Sequence, residues 1–378
     1  MTETMTSRQR VREAINHREP DRMPIDLGMY TASGISAFAY HALRQHLGLP
    51  VDRIEIIDGV QFTARVDDDV LRRLHCDCMF LRPPEQAYGR WSPRSPYSFM
   101  VPSDYKPALN SKGEWVVEKG TQKMRMPQGG YFFDGDWIQF DNPFDDHVFP
   151  RYVAEAERIY KETEYFTTFK GFSPFYRSNL DYFCDMITDP EPLIAENERL
   201  LVRELDKARL FVDNMNEYVG AVGMSGDLGS QQGPMCRPDA FELVSMPFLK
   251  KLCRFFHDYS DAKVFLHCCG AIEPFIPLLI ECGIDIINPV QISAAGMDPA
   301  NLKRKYGDQI VFWGGGVDTQ NVLGQKPPDA VREHVRQMVH IFKPGGGFVF
   351  NSVHNIMGNV SPESILAAYE TAYEESFY

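Results

Sequence analysis

The hydrophobic pattern changes period several times along the chain. Residues 7 to 17 follow a helical period, opened by Thr6 and Gln9 at capping-box spacing. Arg18-Glu19-Pro20-Asp21-Arg22 breaks that helix, and Met23-Pro24-Ile25-Asp26-Leu27-Gly28 reads as a first strand. Gly34 to Leu47 predicts a second helix, stopped by Gly48. From about Pro83 to Pro150 aromatic, glycine and proline residues crowd together. Short alternating runs appear there, Glu114-Trp115-Val116-Val117-Glu118 and Tyr131-Phe132-Phe133, which predict antiparallel hairpins inserted into the main fold. The plainer reading of this insertion, a lid or a homodimer contact, is preferred to an aromatic wall over a pocket.

Beyond residue 190 helices and strands alternate. Helical patterns run from Pro192 to Met215 and from Pro238 to Tyr259, with the apolar run Val219 to Asp227 between them. Lys263 to Gly270 is a strand, Ile272 to Cys282 a helix stopped by Gly283, and Ile284 to Gln291 the next strand. A short helix from Asp298 to Tyr306, a strand from Ile310 to Asp318 and a helix from Pro328 to Phe342 follow. Gly347 to Asn355 is the last strand, and Ser361-Pro362 opens a final helix with a cap and a proline at the first helical position.

This alternation implies a parallel sheet. Polar residues close five of its strands: Asp227, His267 with Cys269, Gln291, Asp318 and His354. A barrel gathers all strand ends around one mouth. An open sheet brings only the strands near its switch point to a ligand. The pattern therefore predicts an α/β fold, a distorted (β/α)8 TIM barrel with an N-terminal helical extension and the inserted hairpin region, as one domain over residues 1–378.

Composition removes several classes of function. The formal net charge of −13 leaves no basic footprint for nucleic acid or an anionic membrane surface. No apolar run approaches the roughly 18 residues of a membrane span, and Met1-Thr2-Glu3-Thr4-Met5 has no basic segment leading into an apolar one. Eight cysteines without a regular framework fit a reducing compartment and free thiols, so a cytoplasmic protein is expected.

The candidate chemistry centres on Lys263-Val264-Phe265-Leu266-His267-Cys268-Cys269-Gly270. Side chains alternate along a strand, so His267 and Cys269 share a face and Cys268 packs on the other. An imidazole and a thiolate side by side are half of a zinc site. His354, at the end of the last strand, is the preferred third ligand and Asp318 the next. Zinc held in this way stabilises a thiolate or acts as a Lewis acid on a leaving oxygen, and either suits methyl transfer. Asp227, in the polar glycine-rich stretch Ser225 to Pro234, either orients a substrate or caps a tight loop. Gln291 and Asp318 are further candidates to bind substrate. Gly314-Gly315-Gly316 lacks dinucleotide spacing, and Phe172, Phe175 and Tyr176 read as core.

With those residues placed, the chain resembles the uroporphyrinogen decarboxylase superfamily, and within it the corrinoid-dependent methyltransferase branch. The resemblance rests on Arg18 to Pro24, Gly226-Asp227-Leu228-Gly229, Lys263 to Gly270, Asn288-Pro289-Val290-Gln291, Gly315 to Gln320 and Val353-His354-Asn355-Ile356. It implies a distorted α/β barrel with its site at the strand C-termini. It also implies zinc on His267 and Cys269, a corrinoid carried by a partner protein, and a small methylated substrate such as an aryl methyl ether or a methylamine. Decarboxylases of the family carry an arginine-rich loop, Arg-Gln-Ala-Gly-Arg, that binds substrate carboxylates, and this chain lacks it. Thiol-methylating members take their third zinc ligand from a cysteine on the last strand. Here His354 stands on that strand, and no cysteine follows Cys282. A cofactor-free decarboxylase using Asp227 and His354, and a non-catalytic ligand-binding barrel, are the alternatives.

Overall fold

The structure is a computed structural model that describes residues 2–84, 88–138 and 142–378. Six strands, Thr168–Phe172, Ala221–Ser225, Lys263–His267, Ile286–Asn288, Val311–Trp313 and Phe348–Val349, pair in parallel and in chain order. Helices connect them, as the alternation of periods requires. Both faces of the sheet are buried. Ala221, Phe265, Ile286, Val311, Trp313 and Val349 share one apolar cluster. Their neighbours Val222, Val264, Leu266, Ile287, Phe312 and Phe348 belong to another, packed under the helices. This is why these strands read as continuous apolar runs rather than as simple alternation.

The two edges of the sheet are joined through two segments that form bridges rather than ladders. Ile25 pairs in parallel with Phe350 and Cys78 with Phe166. The Asp26 N–H donates to the Phe350 carbonyl at 2.8 Å, and the Asp77 N–H donates to the Ile25 carbonyl at 2.7 Å. The Met79 N–H donates to the Phe166 carbonyl at 2.9 Å. Met23 to Gly28, expected as a strand, is thus extended but makes only isolated bridges. Pro24 has no N–H to offer a ladder, and Gly28 turns away at φ 85°.

Beneath these segments lies a buried ion network. Asp77, with no exposed surface, accepts from Arg10 at 2.6 Å, from Arg22 at 2.8 Å and from the Ile25 N–H at 2.9 Å. Arg10 also bonds Asp21 at 2.7 Å and Glu3 at 3.0 Å. The Arg18 to Pro24 segment therefore ties the first helix to the sheet.

The first helix is Ser7–Ile15, and Thr6 and Gln9 make the reciprocal cap. The second is Ala37–His46. The long pattern from Pro238 to Tyr259 divides into Pro238–Val244 and Met246–Tyr259, because Pro247 cannot continue the hydrogen-bond ladder and begins a new helix instead. Elements with weak periodicity went unread, notably the strand Thr168–Phe172 and the helix Phe149–Glu162. In the region of residues 83–150, Trp115–Lys119 pairs antiparallel with Gln122–Met126. Tyr88–Trp91 pairs antiparallel with Phe99–Pro102, which in turn joins Ile54–Asp58 in parallel. Tyr131 to Phe133 makes no strand; the pairing falls on Asp134–Gly135 instead. Among the described residues no helix is long and apolar enough to cross a membrane.

Candidate active site

Parallel register sets Ser225, His267 and Asn288 opposite one another at the ends of three neighbouring strands. Ser225 and His267 border a cavity of about 910 Å³ whose wall also includes Asp227, Cys269 and His354. Cys268 is fully buried on the other side, where its sulfur accepts from the Leu228 N–H at 3.3 Å.

Hydrogen bonds fix the tautomers of both histidines. The Asn288 amide nitrogen donates to the Trp313 carbonyl at 3.0 Å, which turns Oδ1 of Asn288 toward His267 Nδ1 at 2.7 Å. An amide oxygen can only accept, so Nδ1 carries the proton and Nε2 keeps its lone pair. At His354 the arrangement is reversed. Gln291 Oε1 accepts from the Gly270 N–H at 2.8 Å and from His354 Nε2 at 3.0 Å, so the free lone pair of His354 is on Nδ1. The two rings lie edge to face with centroids 6.2 Å apart. Burial lowers the pKa of both, and His354 falls to about 4 with His267 beside it, so both rings are neutral at pH 7. His354 also sits at φ 61°, an uncommon conformation for a residue with a Cβ, and the Ser352 hydroxyl holds its carbonyl at 2.8 Å.

Asp227 accepts the Cys269 N–H at 2.9 Å. Burial and then this carboxylate push the Cys269 thiol far above its usual range, so it ionises only beside a cation. Tyr30 stacks on His267 with centroids 5.9 Å apart and bonds the Ser225 hydroxyl at 2.7 Å.

Three expectations change here. Gln291 does not line the cavity; its side chain ties Gly270, His354 and Gln231 together. Asp318 is also away from the cavity wall. Its carboxylate accepts from the Gln320 N–H at 2.8 Å and from the Asn321 side chain at 2.8 Å, closing its own loop. The three expected zinc ligands are not drawn around one point: His354 Nε2 is engaged by Gln291, and among the described residues no group of three or more His, Cys, Asp and Glu side chains is placed to hold a metal. The donors nevertheless fit zinc in kind. Two are neutral imidazoles with defined lone pairs, each held at its other nitrogen by a side-chain amide oxygen, and the third is a thiol that needs a cation to ionise.

The residues that carry this geometry fall within one matched segment. Residues 197–375 match the family described as uroporphyrinogen decarboxylase (URO-D). That stretch of the chain is similar to the uroporphyrinogen decarboxylase family. Among solved structures, a methyltransferase from Methanosarcina mazei is similar over 98% of this chain and 99% of that chain, with a TM-score of 0.58 and 13% identity. No curated protein matches in sequence.

The cavity wall also includes residues outside the matched segment. Tyr30, Lys170 and Phe172 contribute to it, as do Pro102, Tyr105, Trp137 and Ile138 from the inserted region. The insertion is therefore a wall of the cavity, contrary to the plainer reading, and Phe172 reaches the cavity as well as the core. Phe175 is fully buried, and the Tyr176 hydroxyl bonds the Gly226 carbonyl at 2.7 Å. Lys170 had one signal in the sequence, a lysine between Phe169 and Phe172 in an otherwise apolar stretch.

Proposed function

We propose that the protein is a zinc-dependent methyltransferase, moving a methyl group between a small methylated substrate and the corrinoid of a partner protein. The two edge-joining segments support reading the six-stranded sheet as part of a distorted eight-stranded barrel, one domain with its active site at the strand C-termini. The observation that carries the proposal is the pairing of His267 and Cys269 on one cavity wall, with Asn288 fixing the imidazole so that Nε2 is the free nitrogen.

His267 Nε2 and the Cys269 sulfur would hold zinc, with His354 the third ligand through Nδ1. Zinc would supply a Lewis acid for the substrate atom that gives up the methyl group, and the cobalt chemistry belongs to the partner's cofactor. This chain's residues bind and orient. Tyr30 backs the His267 ring, Asp227 holds the backbone of Cys269, and Gln291 sets the orientation of His354. Tyr105 and Trp137 of the insertion line the cavity where the substrate would sit. In the transfer, the substrate atom that gives up the methyl group would keep the bonding electron pair, and the methyl group would pass to the partner's corrinoid, which would supply the electron pair of the new bond. All eight cysteines are free, which supports a cytoplasmic location.

Elemental analysis with a methyl-transfer assay tests this reading. The expected result is one zinc per chain, with Cys269→Ala losing the metal and more than about a hundredfold in transfer. A protein without stoichiometric zinc, in which Cys269→Ala keeps its activity, would overturn the proposal in favour of decarboxylation.

A further inference from the structure

One buried carboxylate belongs neither to the ion network nor to the cavity wall. Asp26 has no exposed surface. Its Oδ1 accepts the Met29 N–H at 3.0 Å, and its Oδ2 accepts the Trp313 indole N–H at 2.9 Å and the Asn351 amide at 2.7 Å. All three donors are neutral. We propose that Asp26 is a positioning residue for His267, fixing the tautomer and orientation of that ring through hydrogen bonds that converge on Asn288. The inference rests on the methyltransferase reading only in taking the His267 ring as a metal ligand.

The first route runs through the loop from Gly28 to Ser33. Asp26 holds it at the Met29 N–H, a local side chain to backbone bond. The loop closes on itself, with the Gly28 N–H donating to the Ser33 carbonyl at 3.1 Å and the Ser33 N–H to the Tyr30 carbonyl at 3.0 Å. Two of its side chains serve His267. Tyr30 stacks on the imidazole, with the Lys170 ammonium 5.1 Å from the Tyr30 centroid. The Ser33 hydroxyl donates to Oδ1 of Asn288 at 3.0 Å, the same atom that meets His267 Nδ1. An amide oxygen shared by two buried donors cannot turn away without leaving both unpaired.

The second and third routes hold the same pieces from other sides. The Asn351 amide bridges Asp26 Oδ2 and the Ser33 carbonyl, which lies 3.0 Å away. Trp313 gives its indole N–H to Asp26 and takes the Asn288 amide on its carbonyl at 3.0 Å. Ser33, Asn288, Trp313 and Asn351 are all fully buried, so no water replaces a lost partner. Burial raises the Asp26 pKa to about 6, so at pH 7 the group is ionised and its charge opposes folding. An ionised carboxylate accepts on both oxygens, as three converging donors require, whereas an amide would turn an N–H toward one of them.

Asp26→Asn in the full-length chain is the test. Its oxygen still accepts from Trp313 and Asn351, and its NH2 then faces the Met29 N–H, donor against donor, which loosens the loop that carries Tyr30 and Ser33. Imidazole nitrogen NMR of the metal-free protein reads the tautomers directly. In the wild type His267 is expected in the Nδ1–H form. In Asp26→Asn it becomes a mixture of both forms, and zinc, measured by competition with a chelator, binds about tenfold more weakly. His354, whose ring is set by Gln291, stays unchanged and serves as the internal control. Ser33→Ala, which removes only the link to Asn288, should move His267 in the same direction. Thermal unfolding of the same samples separates positioning from a structural role. A His267 tautomer that is unchanged in Asp26→Asn, or that changes only together with a fall in the unfolding midpoint, would overturn the inference. If Asp26→Asn does not fold, Ser33→Ala decides, and an unchanged His267 there overturns it. A wild type that takes up no zinc sinks the methyltransferase reading, while the tautomers still decide this one.

Discussion

The two ends of the parallel sheet bury polar groups in opposite ways. Near the strand starts, full charges meet full charges: Asp77 is enclosed by Arg10 and Arg22, and Arg10 also holds Asp21. At the strand ends the polar side chains are mostly neutral, and each hydrogen bond leaves one chosen atom open. Asn288 engages Nδ1 of His267 and frees Nε2, while Gln291 engages Nε2 of His354 and frees Nδ1. The first arrangement leaves nothing for a ligand and holds the fold. The second leaves lone pairs facing a cavity, which is what a site requires.

Three measurements sharpen that contrast. The largest effect belongs to Asp77→Ala. It removes the buried carboxylate shared by two guanidinium groups and should cost about 3 to 5 kcal/mol in denaturant unfolding. A loss below about 1 kcal/mol would mean that water already reaches the network.

Next comes the acid side of the stability profile. Burial holds the folded-state pKa of His354 at about 4, against an ordinary 6.5. The unfolded chain therefore binds the extra proton, and stability is complete above pH 6.5 and falls as pH drops toward 4. The loss is up to about 3 kcal/mol across that window. Asp26 works in the opposite direction. Burial raises its pKa from 3.8 to about 6, so its contribution is present below 3.8 and is lost as pH rises through 6. Comparison with His354→Asn isolates the histidine, since asparagine tolerates the left-handed backbone there. If both proteins lose stability equally between pH 6.5 and 4, His354 is not buried as described.

The smallest effect is expected at Asp318. Asp318→Ala should cost about 1 kcal/mol of stability through its loop and leave ligand affinity unchanged. A tenfold loss of affinity without a loss of stability would return Asp318 to the site.

His267 and Cys269 were legible because strand alternation puts them on one face and Gly270 turns the chain just after them. His354 was legible as the polar end of the last apolar run. Asp318 and Gln291 gave the same signal and turned out otherwise, because a polar strand end can face the cavity, its own loop or a neighbouring side chain. Lys170 and Tyr30 gave almost none, being single polar atoms in apolar or irregular stretches.

The sequence alone determined the order of helices and parallel strands beyond residue 190, the start of the first helix at its capping box, and the residue types that stand at the strand ends, because these depend on periodicity and residue type within a few neighbours. Only the tertiary structure decided which lone pairs are open, that the inserted region walls the cavity, and that Lys170 brings a positive charge near His267. Those facts depend on contacts between residues far apart in the chain, such as His354 with Gln291 and Tyr30 with His267, and no local pattern encodes the direction in which a side chain meets a distant partner.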